Sequence, residues 1–203
     1  MTIRAGRHQT PRRGFNLIEA AIVLGVVGVV LGGIWTAASV VTNKMQLNTE
    51  CKGVISTVNN IQNLISRRDA MLIGDGVSIT ALGVSAKVFP SDWVVAPNGR
   101  ARDPLGGIHG LTNYDGGAPR FNYIISNISS AACVNLISKI SLAGGSGYYS
   151  GNGLNYITRM MGASMWYATT FPVTPEQAAT ACAGFINDTT NYIVFTFGYT
   201  RNN

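Results

Sequence analysis

The chain has 203 residues, 46% of them apolar and only 12% charged, and its formal charge is +6. Four of the 15 basic residues precede Phe15 and all 9 acids follow Gly14, so the remainder carries eleven bases against nine acids. That balance of +2 does not make a nucleic-acid-binding face, and with only His8 and His109 for a Ser/His/Asp or Cys/His site, the chain is not expected to be an enzyme.

The first element is a leader, MTIRAGRHQTPRRG, with Arg4, Arg7, Arg12 and Arg13 and no acid. An apolar run follows, in which Ala20 to Trp35 carry no charged or polar side chain. With Phe15, Leu17 and Ile18 it reaches the roughly 20 residues that cross a hydrocarbon core of about 30 Å. The positive-inside rule leaves the leader cytoplasmic and sends the rest outward, so one membrane crossing with an exported remainder is expected. Glu19 interrupts this run near its start, where a carboxylate costs about 2.5 to 3.5 kcal/mol and by default has a partner and a function. Gly25, Gly28, Gly32 and Gly33 each cost about 1 kcal/mol of helix stability relative to alanine. Close helix packing and a locally melted segment are both open explanations for them.

The basic leader, the Gly14-Phe15 junction and a glutamate five residues into the following chain resemble the N-terminus of type IV prepilins. The resemblance implies cleavage after Gly14 by a prepilin peptidase on the cytoplasmic face, N-methylation of the new terminus at Phe15, and an assembly role for Glu19. A 14-residue leader is near the lower end of the IVb class, whereas phenylalanine as first residue is more typical of IVa. Two other readings compete. A twin-arginine export signal would show Arg12-Arg13 before Phe15 and small residues at Thr36 to Ala38, but it has no use for an acid in its apolar core. A plain membrane anchor has no more use for one.

Beyond the apolar run, Leu47, Cys51, Val54, Val58, Ile61 and Ile65 recur at spacings of four and three, which puts them on one face of a helix. The spacing predicts a helix from about Asn16 to Met71 that ends at Gly74-Asp75-Gly76. Four segments result: the leader over 1–14, an apolar membrane and assembly helix over 15–40, an amphipathic half over 41–73, and a head over 74–203.

The head reads α+β, a long helical spine packed on an antiparallel sheet. Strands are expected at 120–126 and 191–200, rich in β-branched and aromatic residues, with weaker signals at 78–88 and 93–95. Ser130 is expected to cap a helix over 131–140, and Thr174-Pro175-Glu176-Gln177 to open one that ends near Asn187. Cys133 and Cys182 fall on these two helices, and an oxidising periplasm favours a disulfide between them; the arrangement is similar to the C-terminal disulfide region of type IV pilins. Cys51, on the apolar stripe, is expected to pack as a small buried hydrophobe. Asp92, Asp103 and Asp115 are similar to a pseudopilin calcium loop in lying on loop-like segments, but lack its tight ligand spacing, so neither a metal nor a cofactor is expected. GGSGYYSGNG at 144–153 reads as a surface linker or a contact on the outside of a filament.

The resemblance implies a structural subunit that polymerises with copies of itself, with the prepilin peptidase, the inner-membrane pilus assembly machinery and the membrane as its other partners. It is closest to the IVb side of the family, including the thin-pilus pilins of conjugative systems. A minor pilin, a type II secretion pseudopilin and a membrane-anchored or exported binding domain that never polymerises stand as alternatives.

Overall fold

The computed structural model describes residues 16–66, 77–95, 99–114, 120–144, 153–162, 164–185 and 189–198. The chain divides into two units, residues 1–44 and 45–203. One helix, α1 (Leu17–Ser66), supplies the described part of the first unit and continues into the second. It stays helical through Gly25, Gly28, Gly32 and Gly33, where an added Cβ would meet nothing within 4 Å. Met71 and Gly74 to Gly76 lie outside the described residues.

In the second unit the predicted stripe of α1 is buried from Cys51 onward, with Val54 and Ile61 fully enclosed and Cys51, Val58 and Ile65 nearly so, while Leu47 at its start is half-buried. A seven-stranded sheet follows, formed by β1 (Val94–Val95), β2 (Ala101–Arg102), β3 (Ile108–Tyr114), β4 (Arg120–Ser126), β5 (Gly153–Met161), β6 (Ser164–Ala168) and β7 (Asn191–Gly198). The order is β1-β2-β3-β4-β7-β5-β6, and every pairing is antiparallel. The last strand, β7, therefore lies in the middle, and its register stacks Phe197, Phe195 and Ile193 opposite Phe121, Tyr123 and Ile125 of β4. These alternate positions face one core, as the period of two requires. On its other side β7 meets β5, where the register shifts between Leu154 and Tyr156. This bulge at Asn155 lets Leu154 and Ile157, three residues apart, both be fully buried.

The strand expected over 78–88 is a correction. Ser78 makes only an isolated bridge to Thr112, and Thr80–Ser85 form a short helix, α2. The Thr80 hydroxyl accepts from the Leu111 amide at 2.8 Å and donates to its carbonyl at 3.1 Å, so a side chain takes the ladder position and frees the backbone to turn. Gly83 then packs so closely on β3 that an added Cβ would lie 2.8 Å from Leu111.

Two cap assignments are refined. Helix α3 spans Ser130–Gly144, and it is the Ser129 hydroxyl that accepts from the Ala132 amide. Ser130 instead donates to the Cys182 carbonyl at 2.9 Å. Helix α4 (Pro175–Ala181) has the expected capping box, with Thr174 and Gln177 each accepting from the other's amide. It stops at Cys182 rather than near Asn187, because the chain there is tied to α3 and turns through Gly184 at φ +71°. Asn187 lies outside the described residues.

Candidate functional site

The first half of α1 is apolar all round, and every large apolar side chain from Leu17 to Val41 is exposed, from Val27 at 45% to Leu17 at 85%. The helix is long and apolar enough to cross a membrane. Each such side chain left in water forgoes about 1.5 to 3 kcal/mol, so the surface demands lipid or other apolar helices as its environment. Glu19 lies in the first turn and is exposed, the single acid of that stretch. Asn16 opens the helix, its side-chain oxygen accepting from the Ile18 amide at 3.3 Å and its carbonyl from Ala20 at 3.1 Å. Gly14 and Phe15 lie outside the described residues, as do Asp115 and residues 145–152.

Cys133 of α3 and Cys182 at the end of α4 form a disulfide, with Cα atoms 5.9 Å apart and both residues fully buried. Cys51 is free and buried, its sulfur 3.7 Å from the Asn135 side-chain oxygen. Burial pushes its thiol up to about 11, although the Lys139 charge opposes this. The three cysteines thus divide into a staple of the α3–α4 region and a packed thiol on α1.

A buried polar cluster was not foreseen. Asp103, in the turn between β2 and β3, accepts from the Leu105 and Gly107 amides at 2.8 and 2.9 Å and from His109 Nε2 at 2.9 Å. With its Nε2 proton directed at Asp103, the ring accepts at Nδ1 from the Tyr123 hydroxyl at 3.0 Å. Trp93 covers the imidazole at a centroid distance of 4.1 Å. Burial pushes the Asp103 carboxyl up, but His109 and the two amides outweigh it and hold it below the ordinary carboxylate value. Burial lowers His109 in spite of Asp103, so the ring is neutral. Glu50 of α1 lies beside Asp103, 5% exposed, and neither of its oxygens meets a donor among the described residues. A sequence signal existed: Glu50 stands three residues after Leu47 and four before Val54, on the predicted apolar stripe. Asp92 is exposed, and no group of three metal-ligating side chains occurs among the described residues.

No protein-family model matches the chain. It is 24% identical over 191 residues to the major structural subunit of bundle-forming pilus from Escherichia coli O127:H6 (strain E2348/69 / EPEC), covering 90% of this chain and 93% of that one. Its fold is similar to the crystal structure of the type IV b pilin from Salmonella typhi, at a TM-score of 0.55 and 19% identity, over 75% of this chain and 99% of that one. The fold is that of a type IV pilin. The histidine of the buried cluster in this pilin-like head is fully buried and already bonded on both nitrogens. Its bonds join the β2–β3 turn to β3 and β4, so the cluster serves as a joint between elements.

Proposed function

We propose that the chain is a type IVb pilin precursor, a structural subunit that polymerises through the first half of α1 into a pilus filament. A prepilin peptidase cuts between Gly14 and Phe15, the Phe15 amine is methylated, and residues 15–40 hold the subunit in the inner membrane with its head in the periplasm. The assembly machinery then extracts it into an extracellular filament of like copies. The observation that carries this reading is the pairing of a head with a complete core and a helix whose apolar surface is wholly exposed apart from one acid. An exported enzyme or a simple anchor needs no Glu19 there, whereas helices that must align with one another do. A carboxylate in a low-dielectric bundle favours the cationic Phe15 amine of a neighbour and penalises any register that leaves it unpaired.

Intact mass and N-terminal sequencing of sheared surface material test the reading. The expected product has lost the 14 leader residues, leaving 189 of 203, and begins at Phe15. It is also the abundant component of the sheared filaments. A product beginning near Ser39 would indicate an ordinary export signal, and a retained Met1 a plain anchor. A correctly cut chain that is scarce in the filaments would indicate a minor pilin or secretion pseudopilin.

A further inference from the structure

The buried joint between α1 and the sheet contains one group that the packing does not satisfy as an anion. Glu50 is 5% exposed, its two oxygens meet no donor among the described residues, and the polar group beside it, lining the same cavity, is a second carboxyl, Asp103. Asp103 has its own charge well compensated by two amides and the His109 ring, so it has reason to stay ionised. A second uncompensated charge beside it would be costly. A proton on Glu50 removes that charge and supplies the missing donor, an O–H directed at Asp103.

We propose that a single proton shared by Glu50 and Asp103 clamps the second half of α1 to the β2–β3 turn, and that its loss in mildly alkaline solution loosens this joint. The geometry gives the proton a way out, since a cavity of about 220 Å³ is lined by both Glu50 and Asp103, together with Met45, Thr49, Trp93 and Leu105. Among the described residues, the other ionisable groups facing this part of α1 are Cys51 beside Glu50, His109 of β3, Tyr123 of β4 and Lys139 of α3, which donates to Asn48. The clamp acts within the head and does not depend on polymerisation.

Burial, followed by the Asp103 charge and hydrogen bond, pushes Glu50 from its ordinary 4.5 up to about 8. A raised folded-state value means that this stabilisation is fully present below about 4.5 and is lost as pH climbs to about 8. His109 has the opposite sign: its value is lowered from 6.5, so the folded state gains as pH rises to 6.5 and is indifferent above. Asp103 acts only below its ordinary 3.8, and Cys51 only above its ordinary 9.0. Between pH 6.5 and 8.5 the Glu50 proton therefore acts without these opponents.

Cys51 is the sole free thiol and is buried one residue from Glu50, so its labelling reports opening of the joint. Full-length mature chain in detergent micelles is treated with a thiol-reactive disulfide at pH 6.5 and 8.5, wild type beside Glu50→Gln, which keeps a neutral donor. The ratio of the two rates cancels the common rise in thiolate. The expected ratio, wild type over variant, increases about tenfold or more between pH 6.5 and 8.5. An unchanged or falling ratio overturns the proposal. Should the variant fail to fold, wild type alone decides: its melting temperature must fall across that window, and one that holds or rises overturns the clamp.

Discussion

Residues 17–44 and 45–66 share one unbroken α-helix and have opposite surroundings. In the first stretch apolar side chains occupy every face and are exposed; in the second they form one stripe that is buried from Cys51 onward, with only Met45 at its start exposed among the large apolar residues. A helix apolar all round specifies a solvent, lipid or a bundle of like helices, but no particular neighbour. A helix with a single stripe specifies a docking face and a rotation about its axis. Glycines follow the same division. Gly25, Gly28, Gly32 and Gly33 have open space where a Cβ would stand, whereas a Cβ at Gly53 would be 2.8 Å from the Trp93 ring. Acids do too: Glu19 is exposed, whereas Glu50 is enclosed against Asp103.

The strongest test of the contrast is to remove the acid from the undirected half. Glu19→Val is expected to be cleaved and to stay in the inner membrane, yet to yield few or no filaments, because apolar side chains alone define axial register poorly. Immunoblots of membrane and sheared fractions measure this, and a normal yield would remove the assembly role assigned to Glu19. The head is expected to melt as in wild type.

Core truncations give the converse result. Ile61→Ala, at a fully buried position, should cost the head about 2 to 5 kcal/mol, while Ile22→Ala, 61% exposed, should leave head melting unchanged. Loss of the disulfide falls in the same range: Cys182→Ser should destabilise by about 2 to 5 kcal/mol. Circular dichroism melts of the full chain distinguish these cases. Equal losses at Ile22 and Ile61 would mean that the two halves of α1 do not differ as their burial indicates.

Much of this division was legible in the sequence. The stripe from Cys51 to Ile65, the strands at 120–126 and 191–198 and the Thr174 capping box rest on short-range periodicity or local hydrogen bonding, which a sequence displays directly. The strand over 108–114 was not legible, because Gly110 and Asn113 are weak strand formers held by a full seven-residue pairing with β4. β5 and β6 were missed for a related reason: the Asn155 bulge breaks the period of two, and β5 depends on β7, some 40 residues later in the chain. The Asp103–His109–Tyr123 cluster was likewise hidden, since three elements distant from α1 must converge before Asp103 is anything but a loop acid. Glu50 was the readable part.

The finest test compares two glycine-to-alanine changes that a propensity scale treats alike. Alanine favours a helix over glycine by about 1 kcal/mol at either place. At Gly53 that gain meets an indole packed on His109 at 4.1 Å and near Phe89 at 6.0 Å, with Pro90 another 3.4 Å from the new methyl, so the ring cannot swing away cheaply. Gly53→Ala is therefore expected to destabilise the head by about 1 to 3 kcal/mol, the usual range for an extra methyl in a filled core, and to lower its melting temperature by several degrees. Gly28→Ala meets nothing within 4 Å in a single chain, and head melting should not change. Filament yield then sharpens the comparison at the first half. If Gly28→Ala assembles normally, the glycine serves chain flexibility or nothing that a methyl disturbs; if yield falls while the melt holds, a neighbouring helix occupies the space that the single chain leaves open.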